Sequence, residues 1–191
     1  MHDEPHHRVV HVDGDLKLLD VQVIPGDTTM AHTHSTPIFY TFVSTGSGPT
    51  NGRVSGVTRY AEEPFTHVVI NDGPHLLRIL ALGNYGPPVR DGEDALPVGM
   101  PVEPQEENPW FRSYRLELGP GEETPLIRHD NPAVIIQATE GHTDVSRATG
   151  YGADLVKLGD WTWRDEGSPY RVRNAGSTPV VVVVNEGRRD D

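Results

Sequence analysis

Short apolar runs bounded by glycine and proline dominate the pattern of this chain. Few long stretches show a 3.6-residue apolar period, whereas brief runs rich in β-branched and aromatic residues recur. Runs that suit strands cover residues 16–24, 38–43, 67–70, 76–82, 113–118, 133–138 and 179–184. The 20 glycines and 17 prolines interrupt the chain often, as expected for short strands joined by tight turns. The pattern predicts an all-β protein with little helix.

The two halves of the chain repeat one spacing of marker residues. The first half has Gly26, followed six, eight, eleven and twenty residues later by His32, His34, Pro37 and Gly46. At the same offsets from Gly121 the second half has Ile127, His129, Pro132 and Gly141. A second set, Gly56, His67 and Asn71, is answered at its own spacing by Gly159, Tyr170 and Asn174. We therefore expect an internal duplication that covers most of both halves.

A segment between the two copies has the composition of an exposed connector. Residues 84–108 contain five prolines and six acidic residues with little apolar pattern. We place the boundary near residue 105, which gives an N-terminal domain of residues 1–105 including the connector and a C-terminal domain of residues 106–191.

The charge balance excludes two classes of partner. The 28 Asp and Glu outnumber the 16 Lys and Arg, and the net charge of −12 repels phosphate backbones and anionic lipid headgroups. Cysteine is absent, so a bound metal would be held by nitrogen and oxygen. Residues 1–13 include no apolar signal segment, and the apolar run 180–184 is too short to cross a bilayer. We expect a soluble cytoplasmic protein without nucleic-acid or membrane partners.

The marker residues resemble the two signature motifs of the cupin superfamily. Gly26, His32, His34 and Gly46 are similar to the first motif, and Gly56, His67 and Asn71 are similar to the second. The resemblance extends over residues 8–187. It implies two tandem jelly-roll β-barrels in one chain, a bicupin, with the motif histidines pointing into the barrel and binding a divalent metal.

Two departures from the family pattern bear on the metal site. Ile38 or Phe39 occupies the position of the glutamate in the first motif, which leaves His32, His34 and His67 as the implied metal ligands. In the second copy Ile127 and Tyr170 replace two of these histidines, so that barrel is expected to be degenerate and without metal. The metal is Fe, Zn, Mn or Ni, and three imidazoles do not select among them.

Local geometry supports the first two ligands independently. In a strand His32 and His34 project to one side, so their imidazoles are neighbours. The alternative for such a pair alone is that both are solvated or hydrogen-bonded. The remaining N-terminal histidines are expected to be solvated on a flexible terminus; they are His2, His6, His7 and His11.

The sequence also suggests which residues line the pocket and what His129 does. We expect Ile38, Phe39 and Phe42 to face the barrel interior and shape a pocket, and Tyr40 to be packed in the core. His129 is interpreted as a relic of the duplication, with a ligand or acid-base role as the alternative.

Three functional classes are open for these residues. The first is a metal-dependent enzyme, a dioxygenase or a lyase, isomerase or cyclase, which acts on a small oxygenated organic molecule. The alternative is a non-catalytic small-ligand-binding or sensing bicupin that has lost stable metal binding, and a storage or structural role is a third possibility. No separate general base is identified, and the chain is either a monomer or a homodimer.

Overall fold

Antiparallel strands account for the ordered secondary structure of the protein. The structure is a computed structural model that describes residues 4–90, 95–148 and 152–189. Within these ranges there are fifteen strands, one short 3-10 helix and no α-helix, which confirms the all-β prediction. None of the described helical residues forms a segment long and apolar enough to cross a membrane. The chain divides into two compact units, Met1–Pro87 and Pro88–Asp191.

The first unit consists of one five-stranded sheet and one two-stranded sheet. Its strands are β1 (His7–Asp13), β2 (Leu16–Val23), β3 (His32–His34), β4 (Ile38–Thr45), β5 (Gly48–Val57), β6 (Phe65–His67) and β7 (Leu77–Asn84), with the 3-10 helix at Arg59–Ala61. The larger sheet has the order β1-β2-β7-β4-β5, and β3 pairs with β6. The inner faces of the larger sheet share a hydrophobic cluster of Leu19, Val21, Ile38, Tyr60 and Ala81.

Strand β1 was not predicted from the sequence. Its residues alternate poorly, because a bulge between Val9 and His11 adds one residue to the ladder with β2. A two-residue turn joins the strands, since Asp13 pairs with Leu16 and Gly14 adopts a φ of 53°. The expectation of a solvated terminus is wrong for His7, which is only 8% exposed.

The second unit contains one five-stranded sheet and one three-stranded sheet. Its strands are β8 (Glu106–Asn108), β9 (Phe111–Leu118), β10 (Ala133–Gln137), β11 (Thr143–Arg147), β12 (Ala153–Leu155), β13 (Trp161–Arg164), β14 (Tyr170–Asn174) and β15 (Val180–Gly187). The sheet orders are β13-β10-β15-β9-β8 and β12-β11-β14. Apolar side chains of β9, β10, β14 and β15 pack together in one buried cluster.

Equivalent residues of the two units make equivalent strand pairings. In the first unit β2 pairs with β7 from Leu16–Asn84 to Val23–Leu77, and in the second unit β9 pairs with β15 from Phe111–Gly187 to Leu118–Val180. The pair of His32 and His67 corresponds to the bridge of Ile127 and Tyr170. The residue offsets are those of the marker residues in the sequence, so positions that repeat in the sequence occupy equivalent places in the strand pairings of the two units.

The asparagine of the second motif holds a turn in each unit. The Asn71 side-chain amide donates to the carbonyl oxygens of Val23 (2.8 Å) and His75 (2.9 Å). Asn174 repeats this arrangement with Leu118 (2.9 Å) and Thr178 (2.8 Å). The same turn requires a glycine at the end of the first motif, because a Cβ on Gly46 would lie 2.4 Å from the Asn71 side-chain oxygen. These motif residues stabilise the turn and need no ligand to explain them.

The connector is tied by hydrogen bonds to the second unit. Val98 bridges Arg128, and the Gln105 backbone N–H donates to the Ser113 carbonyl oxygen at 2.8 Å. The described connector residues, 88–90 and 95–105, therefore belong to the second unit, whereas composition alone placed the boundary near residue 105. Of the predicted strands, 67–70 differs most, because β6 ends at His67.

Candidate metal centre

The paired strands β3 and β6 bring together the three histidines that the sequence singled out. His32 lies opposite His67 in the ladder, and His34 is two residues along on the same face as His32. His32 and His34 are 6% and 2% exposed, whereas Thr33 between them is exposed and contacts Thr66 across the pair at 2.8 Å. The alternation of a β-strand thus aims both imidazoles inward.

The three imidazoles form a close cluster. The ring centroids of His32 and His34 are 5.0 Å apart, those of His32 and His67 are 4.5 Å apart, and those of His34 and His67 are 4.9 Å apart. A fourth imidazole joins them, since the His7 ring lies 4.2 Å from that of His32 and 6.1 Å from that of His34. One ring nitrogen from each of His7, His32 and His34 lies within 4.8 Å of the other two.

Hydrogen bonding leaves His32 ready to bind a cation. Its Nδ1 is 2.9 Å from the carbonyl oxygen of Met30. A carbonyl only accepts, so Nδ1 carries the proton and Nε2 keeps a free lone pair. That Nε2 is buried and has no hydrogen-bond partner among the described residues. A backbone carbonyl on the far nitrogen is the usual arrangement for a metal-binding histidine.

His67 approaches this cluster through His34, and it lies outside the group of nitrogens that are all within 4.8 Å of one another. The Nε2 atoms of His34 and His67 are 2.9 Å apart. Two nitrogens bound at about 2.1 Å to one metal and separated by a right angle would lie about 3.0 Å apart. In addition, Nδ1 of His7, like Nε2 of His32, is buried without a partner in the described part of the chain. Each such orphaned group costs about 1–3 kcal/mol, and a metal ion would offset that cost.

The electrostatic surroundings of His7, His34 and His67 favour their neutral forms. Burial, together with the His32 imidazole, lowers the pKa of His7 to about 4. Burial and the neighbouring His67 ring lower the pKa of His34 to about 3, and burial lowers that of His67 as well. Neutral imidazoles have the lone pairs that metals require, so near neutral pH protons compete weakly for this site.

An apolar cavity of about 270 Å³ opens beside the histidines. His7, His34 and His67 contribute to its wall. The other lining residues are aromatic or aliphatic: Val21, Tyr40, Phe42, Tyr60, Phe65, Val69, Leu77 and Ile79. Its size and its apolar wall are those of a pocket for a compact organic molecule.

The sequence-based assignment of the pocket wall was right for one of three residues. Phe42 lines the cavity, Ile38 belongs to the buried cluster on the same side of β4, and Phe39 is fully buried on the opposite side. The reason is strand alternation, which sends Phe39 away from its two neighbours on the face. Tyr40 packs against the buried cluster, as predicted, and it also lines the cavity.

Tyrosines supply the hydroxyl groups of this cavity. The Tyr60 ring stacks on His34, with centroids 5.4 Å apart, and on Phe65 at 5.6 Å. Burial, together with the Tyr60 hydroxyl to which it is hydrogen-bonded, raises the pKa of Tyr40 above its usual value. Tyr40 therefore stays protonated near neutral pH and retains a hydroxyl that can donate to a ligand.

The second unit has a different arrangement at the equivalent positions. His129 Nδ1 is 2.6 Å from a Glu186 carboxylate oxygen, and its Nε2 is 2.6 Å from the Tyr170 hydroxyl. Arg112 (3.3 Å) and Tyr114 (3.4 Å) also contact Glu186. Both nitrogens of His129 are engaged, so the structure gives no support to a metal-binding role for it.

Comparison with known proteins identifies the fold through structure rather than sequence. No protein-family model and no curated protein sequence matches the chain. Among solved structures, AerE from Microcystis aeruginosa matches 97% of this chain and 99% of its own, with 9% identity and a TM-score of 0.65. Likenesses at this level of identity show the fold alone.

Two further solved structures cover nearly the whole chain. The cupin 2 conserved barrel domain protein from Leptotrichia buccalis matches 93% of this chain and 86% of its own, with 10% identity and a TM-score of 0.57. Salicylate 1,2-dioxygenase from Pseudoaminobacter salicylatoxidans, in adducts with gentisate, matches 91% of this chain and 68% of its own, with 13% identity and a TM-score of 0.60. With the jelly-roll strand pairings and the inward histidines of the first unit, these likenesses establish that the chain has the cupin fold.

Proposed function

We propose that the first unit is a metal-dependent enzyme site that acts on a small oxygenated organic molecule. In this proposal His32, His34 and His67 hold one divalent metal ion, which is Fe, Zn, Mn or Ni. The observation that carries it is the buried cluster of neutral imidazoles with orphaned ring nitrogens beside an apolar cavity. Buried polar atoms without partners are rare unless a ligand satisfies them.

The chemistry of the side chains narrows the reaction class. A bound divalent metal would polarise a substrate oxygen or bind dioxygen, which are the activities of a Lewis acid or an oxygenase. Neutral imidazoles leave the charge of the cation uncompensated, so an anionic or enolisable oxygen of the substrate is favoured there. No carboxylate or lysine occurs among the described residues that line the cavity. Dioxygenase chemistry therefore suits the site better than a reaction that needs a separate general base.

The cavity residues bind and orient the substrate in this proposal. Aromatic rings of Tyr60, Phe65 and Phe42 offer faces against which a planar substrate packs. The hydrogen-bonded hydroxyls of Tyr40 and Tyr60 keep one proton that can donate from the wall and fix the orientation of a substrate oxygen. The apolar wall excludes water from the reacting atoms, which strengthens electrostatic interactions inside the cavity.

We also propose that the two units are copies of one ancestral barrel, so that the chain is a bicupin whose second copy has lost metal binding. The equivalent pairings and the equivalent asparagine turns support this origin. A cytoplasmic location and a monomeric or homodimeric state remain predictions from composition.

A metal analysis tests the proposed site. Untagged protein from several growth media is analysed by plasma mass spectrometry, beside His67→Ala and the control His75→Ala, an exposed histidine of the same unit. We expect close to one metal ion per wild-type and control chain, and a marked loss in His67→Ala. Wild-type protein without metal in every medium would contradict the proposal.

A second assay separates catalysis from ligand binding. Metal-loaded protein is screened for oxygen consumption with phenolic and enolisable compounds, and for conversion of the same compounds without oxygen. Oxygen uptake is expected. Binding without turnover, retained in metal-free protein, would instead support the alternative of a non-catalytic small-ligand-binding or sensing protein, which the apolar and carboxylate-free cavity also suits.

A further inference from the structure

His7 reaches the metal centre through an irregularity in strand β1. Before the bulge, Arg8 pairs with Asp20 and His7 with Val21; after it, His11 pairs with Leu18. Without the extra residue His7 would lie opposite Gln22 and would face away from the cavity, because a one-residue slip reverses the face of a strand residue. The bulge thus turns His7 inward, and bulges near active sites commonly re-aim a side chain in this way.

Contacts of the main chain and of neighbouring residues hold His7 in its inward position. Val21, its partner on β2, is 4% exposed and lines the same cavity. The His7 backbone N–H donates to the Glu4 carbonyl oxygen at 3.0 Å. The preceding residue, His6, contacts Glu4 and lies 3.0 Å from Asp27, which anchors the start of the strand. His7 is therefore held against the motif histidines by the main chain and by its neighbours.

The proposed metal site lacks the glutamate ligand of the first motif, and His7 can take the place of that ligand. The glutamate expected from the family resemblance is absent, and Ile38, the inward-facing residue there, is 1% exposed and has no coordinating atom. The His7 ring, in contrast, is 4.2 Å from His32, and its Nδ1 is buried without a partner in the described residues. An imidazole is as good a ligand as a carboxylate for most first-row metals.

We propose that His7 is a fourth protein ligand of the metal ion, donated by the N-terminal strand in place of the glutamate of the motif. This inference rests on the proposed metal site of the first unit and extends it to a four-histidine site. A neutral ligand replaces a negative one, so the bound cation keeps its full charge. The N-terminal strand becomes part of the metal site, and metal binding stabilises its docking against β2.

X-ray absorption of zinc-loaded protein tests the ligand count. Wild type is expected to show scattering from four imidazoles, His7→Ala from three, and His11→Ala from four. His11 is the matched control, because it lies on the same strand and faces the other side. Zinc affinity by competition with a chelator is expected to fall at least about tenfold in His7→Ala and to stay unchanged in His11→Ala.

The outcomes separate this inference from the metal site itself. If wild type binds no zinc, the proposed site and the fourth ligand both fail. If His7→Ala keeps the wild-type imidazole count and affinity, the fourth ligand alone is overturned. Circular dichroism checks that the variants fold, and His7→Phe preserves a ring in the same space.

Hydrogen exchange of the wild type gives an answer that needs no variant. Amides of residues 7–13 are expected to exchange at least about tenfold more slowly with zinc than after chelator treatment. Amides of residues 106–108, in strand β8, which corresponds to β1 in the second unit, are expected to change little. Equal exchange of residues 7–13 with and without zinc would overturn the coupling of this strand to the metal.

Discussion

Corresponding positions of the two units carry side chains of different chemistry on the same ladder of strands. His67 of the first unit is matched by Tyr170 of the second, and Gly83 is matched by Glu186. Where the first unit leaves ring nitrogens unpartnered beside a cavity, the second satisfies both nitrogens of His129 within 2.6 Å. One histidine position thus keeps an unpartnered ring nitrogen in one unit and belongs to a closed hydrogen-bond network in the other.

The difference shows that the same fold can accommodate a buried histidine in two ways. A buried imidazole requires partners, and either a cation or a carboxylate with a phenol can supply them. Glu186 and Tyr170 are fully buried, so the second unit satisfies His129 by its own side chains. Four predictions test this contrast, beginning with the largest effect.

The double substitution His32→Ala/His34→Ala should abolish metal binding. It removes the buried lone pair of His32 and the nitrogen that faces His67. Metal content is expected to fall from about one ion per chain to almost none, since loss of a single outer partner already costs about 10–100-fold in affinity. Plasma mass spectrometry of untagged protein measures it. His129→Ala is the counterpart in the second unit, and metal loss in that variant would break the comparison.

His129→Ala should instead reduce stability. Its removal leaves the Glu186 carboxylate, which is 0% exposed, without its closest partner. The free energy of unfolding in urea is expected to fall by about 3–5 kcal/mol, because the buried Glu186 carboxylate and the buried Tyr170 hydroxyl each lose a hydrogen-bond partner, at about 1–3 kcal/mol each. His142→Ala is the control, because His142 pairs with Asp154 on the surface and should change the value by less than about 1 kcal/mol. Equal small losses in both variants would mean that the buried network contributes little.

Metal-free protein should lose stability on mild acidification. The pKa values of His7 (about 4) and His34 (about 3) in the folded state lie below the ordinary value of 6.5. Between pH 6.5 and about 4 the unfolded chain therefore binds more protons than the folded chain, and stability decreases as the pH falls. Each imidazole contributes about 1.4 kcal/mol per pH unit in this window.

Urea unfolding in chelator at pH 7 and pH 5 measures this loss, which should be roughly 2–4 kcal/mol in the wild type. The variant His7→Ala/His34→Ala lacks both groups and should show a flatter dependence. A slope that is the same in wild type and variant would locate the acid sensitivity elsewhere.

Tyr40→Phe should have the smallest effect. It removes the hydroxyl that bonds to Tyr60 at a position where the second unit has the apolar Ile135. A net loss of about 1 kcal/mol in the free energy of unfolding is expected, with unchanged metal content. Ligand affinity, measured by calorimetry once a ligand is known, should fall by a few-fold. A large loss of metal would show that this tyrosine supports the ligand histidines directly.

The sequence predicted much of the fold because its repeat is encoded in spacing. Offsets from Gly26 and Gly121, and from Asn71 and Asn174, correctly indicated which strands of each unit correspond. The His-x-His pattern likewise predicted the shared face of His32 and His34, since strand alternation is a local property. How the cluster binds a metal stays a prediction.

The inward position of His7 and the burial of Glu186 could not be predicted from the alternation of apolar and polar residues along a strand. The bulge in β1 interrupts alternation, so His7 and His11 appear to share a face although they lie on opposite sides. Glu186 was missed because it follows a run of valines at the end of β15, where a charged residue looks like the exposed end of a strand. The burial of Glu186, which is 0% exposed, is explained only by the contact with His129 that the structure shows.

The paired asparagine turns have a consequence for saturation mutagenesis. Asn71 and Asn174 each donate to two backbone carbonyls and accept from a glycine N–H, whether or not a metal site is nearby. In a complete mutational scan scored by protein abundance, most substitutions at either asparagine should therefore lower the abundance. In a scan scored by catalytic turnover, substitutions at the histidines of the first unit should also lower the score. Subtracting one score from the other would separate residues needed for folding from residues needed for activity.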